Sequence, residues 1–440
     1  MKKIFILLLC AICTLGTFAQ KKGKEREIPK YRRSSLHLMM MQDEKVLHKN
    51  IIINAFENAP FPDKYDQHDI GVSSYDFLNI KMPEIETSAE DASDKEEDAE
   101  DKRLKGADKK IEKYFADAGT AKKLIALWFN RKEDGSLSTE LIAERGSYDA
   151  TSLDVSKAKM QSKTVSTQME DAGYELIGNT FIVVDKINFY SNETGAAIIH
   201  AASSIAIAAM KEDNAMKVIA KKAAKAASDA LYERTRQGYT VRTDAFLYKL
   251  AWNDSISDIF YSDLWLDSSE MDDQARKTQK QKFDDSNLFS MELVGMQKST
   301  VIVLNLNSDN MTTAQIISEA TIRTVDKVFA KLQKEYDVFK PKSPLFQVEK
   351  KLCTAKIGMK EGLEGGEKFE ILEQQIDKEG LTIYKAVGII KVDKNSIWNN
   401  LYNASDAPKA EGDEVTISAT SFKGCKSKKH YPGQLIRQKK

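Results

Sequence analysis

The chain has 440 residues, enough for two or three domains, and its hydrophobic content of 42% is typical of a globular protein with a buried core. Its 66 basic and 66 acidic residues cancel to a formal net charge of zero. This balance argues against a nucleic-acid-binding protein, which usually has a basic excess, and it supplies no electrostatic attraction to anionic lipid.

The N-terminus has the pattern of a secretory signal peptide. Two lysines at positions 2 and 3 precede an apolar run over residues 4–15, and Thr17-Phe18-Ala19 places small residues where a signal peptidase cleaves. The apolar run is shorter than the roughly 20 residues that a membrane-spanning helix needs. We therefore expect cleavage after residue 19 and an exported mature chain, in the periplasm or associated with the outer membrane.

The cysteines are few. Cys10 and Cys13 leave with the signal peptide, and neither follows the small residues that a lipoprotein signal requires. Cys353 and Cys425 remain, and an oxidising compartment permits either a disulfide between them or two free thiols. Two cysteines and a few histidines without ligand spacing do not form a typical structural zinc site.

Composition divides the mature chain into four parts. Residues 20–83 are expected to form an irregular N-terminal region, because prolines at 60 and 62 cannot continue a helix. Residues 84–110 are acidic and then basic, which is typical of a solvated linker or an exposed helix. Residues 111–345 predict an α+β domain, and residues 346–440 predict a small all-β domain.

Three patterns support the α+β domain. Apolar residues recur at helical spacing over residues 111–130 and again over residues 313–339, where Pro341 ends the helix. The β-branched run at residues 181–184 predicts a buried central strand. Alternation with a period of two over residues 238–253 predicts an exposed strand.

Residues 195–234 are rich in alanine and predict two helices with a polar break between them. One hypothesis is a hairpin that inserts into or lies on a membrane. The other is a helical pair packed on the sheet, where small residues permit close approach. The first helix is too short to span a bilayer and the second carries several lysines and arginines, so we favour packing on the sheet.

The C-terminal segment has short strand patterns separated by glycine turns. The strands are predicted at residues 346–357, 368–373, 381–392 and 414–421. This spacing is typical of a small barrel of the SH3-like kind. The predicted fold class is therefore α+β, a mixed sheet-and-helix domain followed by a small C-terminal all-β (SH3-like) barrel.

Known catalytic signatures are absent from the sequence. It has no Walker A loop, dinucleotide-binding fingerprint, HExxH motif, EF-hand loop or GxSxG elbow, so no catalytic, cofactor-binding or metal-binding residue is predicted. A weak polar cluster is formed by Asp63, Asp66, His68 and Asp69. It fits either a metal or ligand site or a turn whose side chains cap backbone groups, and we favour the turn.

Several segments resemble a group of uncharacterised secreted proteins from Bacteroidota. They are residues 32–36, 60–68, 176–184 and 431–437. This resemblance implies export, but neither an activity nor binding residues.

A looser similarity links residues 356–358, 362–369 and 387–392 to the curli-secretion and flagellar-assembly families of the cell envelope. Members of those families bind other envelope proteins, so the similarity implies partners of that kind. We therefore expect a non-catalytic envelope scaffold or assembly factor, and a secreted hydrolase of envelope or dietary polymers is the alternative. The oligomeric state is left open.

Overall fold

The computed structural model describes residues 31–42, 46–76, 96–148, 175–211, 214–236, 238–267, 272–303, 312–376, 378, 382–402 and 417–439. The predicted signal peptide lies outside the described residues, as do residues 84–95 of the predicted linker.

A mixed six-stranded sheet lies at the centre of the first domain, with β1 to β6 at Ser35–Gln42, Asp66–Gln67, Ser74–Asp76, Thr180–Ser191, Tyr239–Leu250 and Met291–Val303. The strand order is β2-β1-β4-β5-β6, and β3 also pairs with β1. β1 runs parallel to β2, β3 and β4, whereas β4, β5 and β6 pair antiparallel.

Helices α1 to α9 comprise Lys49–Glu57, Glu96–Asp117, Thr120–Trp128, Glu140–Tyr148, Glu193–Ala208, Ala215–Arg236, Asp254–Ile259, Asp273–Asp285 and Thr313–Glu335. Successive residues of a strand point to opposite faces of the sheet. Buried strand residues on both faces of this sheet pack against helices. On one face Phe181 and Val183 of β4 pack with Leu332 of α9. On the other face Ile182 packs with Trp128 of α3. The prediction of a buried central strand at residues 181–184 is confirmed, and so is the α+β fold class.

The N-terminal region is not irregular throughout, as residues 20–83 were expected to be. β1 is an almost fully buried strand of the sheet, and α1 follows it. The strand contains Met39, Met40 and Met41. Methionine favours helices over strands, so the local composition concealed a strand that tertiary pairing with β4 stabilises.

The predicted linker at residues 84–110 ends inside a helix. α2 crosses the expected boundary, and its Leu104 and Ala107 are buried in the core. One side of α2 therefore packs against the domain, and Arg103 and Asp108 on this helix contact Asp244 and Tyr248 of the sheet.

Two predicted elements differ in extent or burial from those observed. The helix expected over residues 111–130 is divided at Gly119, whose φ of 60° ends α2 before α3 begins. The strand expected over residues 238–253 is present as β5 but is not exposed. It lies between β4 and β6, and its neighbouring Phe246 and Leu247 are both fully buried, on opposite faces.

The C-terminal segment forms a closed barrel with strands β7 to β12 at Ser343–Glu349, Leu352–Ala355, Lys368–Ile376, Thr382–Val392, Thr420–Lys423 and Leu435–Gln438. The strands close in the order β10-β11-β8-β7-β12-β9. The predicted small barrel is confirmed. The strand expected over residues 346–357 is two strands, because a turn at Lys350, with a φ of 42°, separates β7 from β8.

A disulfide joins two parts of the barrel. Cys353 lies on β8 and Cys425 follows β11, their Cα atoms are 5.9 Å apart, and the sulfur atoms are bonded. Both residues are buried in the barrel core. The bond closes a loop across 72 positions of the chain.

Candidate interaction site

The helical hairpin of α5 and α6 connects β4 to β5, two neighbouring antiparallel strands of 12 residues each. Ser191 and Tyr239 form the last residue pair of β4 and β5. Beyond them the Asn192 amide donates to the Gly238 carbonyl at 3.1 Å, and the Asn192 side-chain oxygen accepts from Thr240 Oγ1 at 2.6 Å. The base of the hairpin is thus fixed to the sheet by hydrogen bonds.

The base also packs tightly against β6. A Cβ atom built on Gly238 would lie 2.1 Å from the Val303 carbonyl oxygen, so any other residue would force the backbone to move. This close approach holds the start of β5 against the neighbouring strand. The hairpin therefore leaves the sheet at a fixed point.

Several contacts between the two helices are polar. His200 Nε2 lies 2.8 Å from Asp229 Oδ1, and the His200 ring packs on Tyr232 with centroids 4.6 Å apart. Lys221 Nζ donates to the carbonyls of Ala208 and Met210 at 3.1 and 3.2 Å. The last carbonyls of a helix have no intrahelical donor, so this lysine both caps α5 and interacts favourably with its dipole.

The outer surface of the hairpin carries large apolar side chains as well as charged ones. Five large apolar side chains are exposed to solvent, with these exposed fractions: Ile199 59%, Ile205 73%, Met216 79%, Ile219 66% and Leu231 57%. Helices of a globular protein normally bury such residues and expose polar ones. Here polar contacts lie between the helices, and these large apolar side chains are exposed beside the lysines of α6.

The hairpin does not lie on the sheet, so the expectation that residues 195–234 pack there is wrong. Ala196, next to the base, is buried, and every other hairpin side chain whose burial is described is at least partly exposed. Alanine favours a helix without fixing what that helix packs against, and this explains why the helices were predictable and their position was not.

A cleft of about 490 Å³ opens on one flank of the hairpin. It is lined by Ser204, Ile207, Ala208, Val218, Lys221, Lys222, Lys225, Ser228 and Asp229. Three lysines among nine lining residues make this flank basic. No helix in the described part of the chain has the length and hydropathy of a transmembrane span.

The polar cluster at residues 63–69 is divided among separate contacts. Asp63 pairs with Lys64 at 2.9 Å, and Asp66 pairs with Arg32 at 3.3 Å. Asp69 accepts a hydrogen bond from the amide of Gly71 at 2.7 Å and lies 3.5 Å from His37 Nδ1. Among the residues that the structure describes, no three potential ligands gather as a metal ion would require.

His68, the remaining member of this cluster, lies in the interior of the protein. It is fully buried, stacks on Trp128 with centroids 4.6 Å apart and lies 3.0 Å from the Leu124 carbonyl. Its Nδ1 lies 3.2 Å from Arg145 Nη1. Burial lowers the pKa of His68 to about 3, and the charge of Arg145 adds to the fall. Neutral His68 therefore donates to the carbonyl from Nε2 and accepts from Arg145 at Nδ1.

Sequence reasoning identified the two helices but not their outer surface. The available signal was the alternation of three- and four-residue steps between small apolar residues, which runs through both helices on the side away from the polar contacts. No protein-family model matches the chain, and no curated protein matches it in sequence.

Proposed function

We propose that this protein is a non-catalytic scaffold or assembly factor of the cell envelope, and that the helical hairpin is its binding element. The observation that carries the proposal is the set of large apolar side chains that the hairpin exposes. Exposed apolar surface of this kind is a common mark of a protein-binding or membrane-binding site. Its fixed base between β4 and β5 is suited to presenting this surface to a partner.

The proposed location is supported by two features of the chain. The first nineteen residues have the pattern of an export signal, with lysines before an apolar run and small residues at the cleavage position. The Cys353–Cys425 disulfide is of the kind that persists in oxidising compartments such as the periplasm. The similarity to curli-secretion and flagellar-assembly proteins supports envelope proteins as partners.

Site-specific crosslinking in cells tests the proposal. A photo-crosslinking amino acid is placed at Ala223, an exposed position of α6, and in a matched variant at Lys225, which is also exposed but lies about 160° away around the same helix. We expect discrete adducts with envelope proteins from position 223 and few from position 225. Mass spectrometry of the adducts identifies the partners.

A second variant removes the hairpin altogether. Residues 193–237 are replaced by Asn-Gly, a two-residue turn that suits antiparallel strands, because Asn192 and Gly238 already face each other at the base. This variant should fold and lose the complexes of the wild-type protein. Absence of adducts at position 223, together with unchanged complexes in the hairpin-deleted variant, would contradict the proposal.

A further inference from the structure

Strand β10 of the barrel is longer than its neighbour β11. β10 comprises Thr382–Val392, whereas β11 has four residues and pairs with β10 only at Lys391 and Val392. On its other side β10 pairs with β9 from Thr382 to Lys391. Within the described part of the chain, residues 382–390 therefore have no strand partner on the β11 side. We call this stretch the free edge of β10.

The chain turns away from the free edge where β11 ends. In the antiparallel register of β10 and β11, the residues after Lys423 would continue alongside residues 382–390. Instead the backbone turns at Gly424, whose φ is 101°, and the next residue, Cys425, is bonded to Cys353 within the barrel core. The disulfide therefore fixes a path on which this segment does not cover the free edge.

The segment comes back to β10 on its inner face. A Cβ atom built on Gly388 would lie 3.2 Å from His430 Nε2 and 3.6 Å from the Ile371 side chain. Ile371 belongs to the barrel core, so this side of Gly388 is the inner face. The buried His430 ring therefore packs against the inside of β10 and not against its edge.

The free edge presents backbone hydrogen-bonding groups. In an antiparallel sheet, alternate residues direct both their N–H and their C=O toward the same side. The carbonyl of Ile389 is directed toward the free edge, since a Cβ atom on Gly424 would lie 3.2 Å from its oxygen. At about 3.4 Å per residue, residues 382–390 span about 30 Å, and about four of them direct both groups outward. An exposed row of this kind is a template for another extended chain.

The side chains along the free edge suit a partner strand with apolar and acidic residues. Ile383, Val387 and Ile389 are 43%, 41% and 52% exposed, and β-branched residues favour pairing between strands. Lys385 is also exposed, and its neighbour on β9 is Glu373. A carboxylate on an added strand would flank Lys385 from the other side, where opposite charges stabilise the pairing.

Two features make the free edge selective. The register between β9 and β10 shifts between Ala386 and Gly388, which marks a bulge, and Lys385 precedes it. Bulges and lysines on an edge oppose indiscriminate pairing. Pairing of β10 with β10 of a second copy is disfavoured, because this strand has two lysines and no acidic residue. The partner is therefore a different sequence.

We propose that the free edge of β10 binds an extended segment of another protein by β-strand addition. The segment places apolar residues beside Ile383 and Ile389 and an acidic residue beside Lys385. Main-chain hydrogen bonds supply the affinity and these side chains supply the specificity. The site lies on the barrel and not on the hairpin, so it goes beyond the function proposed for the hairpin.

Selection of peptides on the mature protein, with its disulfide intact, tests this proposal. The probe is a display library of random peptides of about twelve residues, which is long enough to span the free edge. Enriched peptides are synthesised with a fluorescent label, and their affinity is measured by fluorescence polarisation. Hydrogen–deuterium exchange with and without the peptide then shows which amides the peptide protects.

The test variant is Lys385→Glu, and the control is Lys277→Glu, which makes the same change of charge at an exposed position of α8. We expect enriched peptides to combine apolar and acidic residues and to slow exchange within residues 382–390. Lys385→Glu should weaken their binding about tenfold, because like charges then lie on adjacent strands, and Lys277→Glu should not change it. A peptide with lysine in place of its acidic residue should regain affinity for Lys385→Glu.

Three results would overturn the proposal: no enriched peptide, protection only outside residues 382–390, or equal binding to the two variants. Exchange at the free edge that slows with rising protein concentration, without peptide, would assign the edge to a second copy and also overturn it. The regained affinity of the lysine peptide separates a lost contact from a misfolded variant.

The variant that lacks the hairpin separates this proposal from the proposed function. With residues 193–237 replaced by Asn-Gly, the barrel is unchanged in sequence, so this variant should bind the enriched peptides as the wild-type protein does. Loss of crosslinks at position 223 would then contradict the proposed function alone. Loss of peptide binding at residues 382–390 would contradict β-strand addition alone.

Discussion

Lys360 Nζ of the barrel lies 3.4 Å from Asp326 Oδ1 of α9, and this ion pair connects the two domains. The same ammonium group is 3.5 Å from the carbonyl oxygen of Pro60. Close by, a Cβ atom on Gly362 would lie 2.9 Å from the Lys334 side chain of α9. The turn after β8 is therefore packed directly on the longest helix of the first domain.

Replacing Lys360 by methionine should weaken this domain contact. Asp326 is nearly buried, and burial raises its pKa to about 6 although Lys360 opposes the rise. Without the lysine the carboxylate loses its cationic partner, and we expect the free energy of unfolding to fall by about 1–3 kcal/mol. Urea unfolding followed by tryptophan fluorescence measures the change.

Lys385→Met is the matched control for this prediction. Lys385 lies on β10 of the same barrel with its side chain exposed, so its loss should change stability by less than about 0.5 kcal/mol. Equal stability of the Lys360→Met and Lys385→Met variants would show that the ion pair contributes little to the domain contact.

How much of this architecture could be predicted depended on the range of the interactions involved. The strand at residues 181–184 was predictable, because a short β-branched run indicates burial by itself. The environment of His68 was not. Its neighbours Trp128 and Arg145 are 60 and 77 positions away in the chain, and only tertiary folding brings them together.

In the candidate site, too, some features could be predicted from the sequence and others could not. Alanine-rich composition predicted both helices of the hairpin, since helix propensity is local. Which side each helix buries was not predictable, because alanine is equally suited to a core and to a surface. His200 gave no signal of its contacts, since Asp229 and Tyr232 lie on the other helix.

Asp185 should make stability depend on pH. It lies on β4 within the core, its Oδ1 has no hydrogen-bond partner, and burial raises its pKa from 3.8 to about 8. The folded chain thus holds this proton more tightly than the unfolded chain does. Between about pH 4 and pH 8 each rise in pH favours unfolding, by about 1.4 kcal/mol per unit from this group alone.

The Asp185→Asn variant isolates this contribution. Asparagine cannot ionise, so the stability of the wild-type protein relative to the variant should fall steadily from pH 5 to pH 8 in urea titrations. Asp258→Asn, at an exposed position of α7, should follow the wild-type curve. Parallel curves for the wild-type protein and the Asp185→Asn variant would show that Asp185 has the same pKa in both states.

The Cys353–Cys425 disulfide should contribute strongly to the stability of the barrel. It closes a loop across 72 positions, and restricting the unfolded chain in this way stabilises the folded state by about 4 kcal/mol. We expect dithiothreitol to lower the urea midpoint of barrel unfolding, with Trp398 as a reporter within that domain.

The double variant Cys353→Ala, Cys425→Ala should unfold near the midpoint of the reduced protein and should not respond to dithiothreitol. A wild-type midpoint that is unchanged by reduction, with thiol titration confirming that both sulfurs are free, would show that core packing around Phe422 and Ile371 stabilises the barrel without the bond.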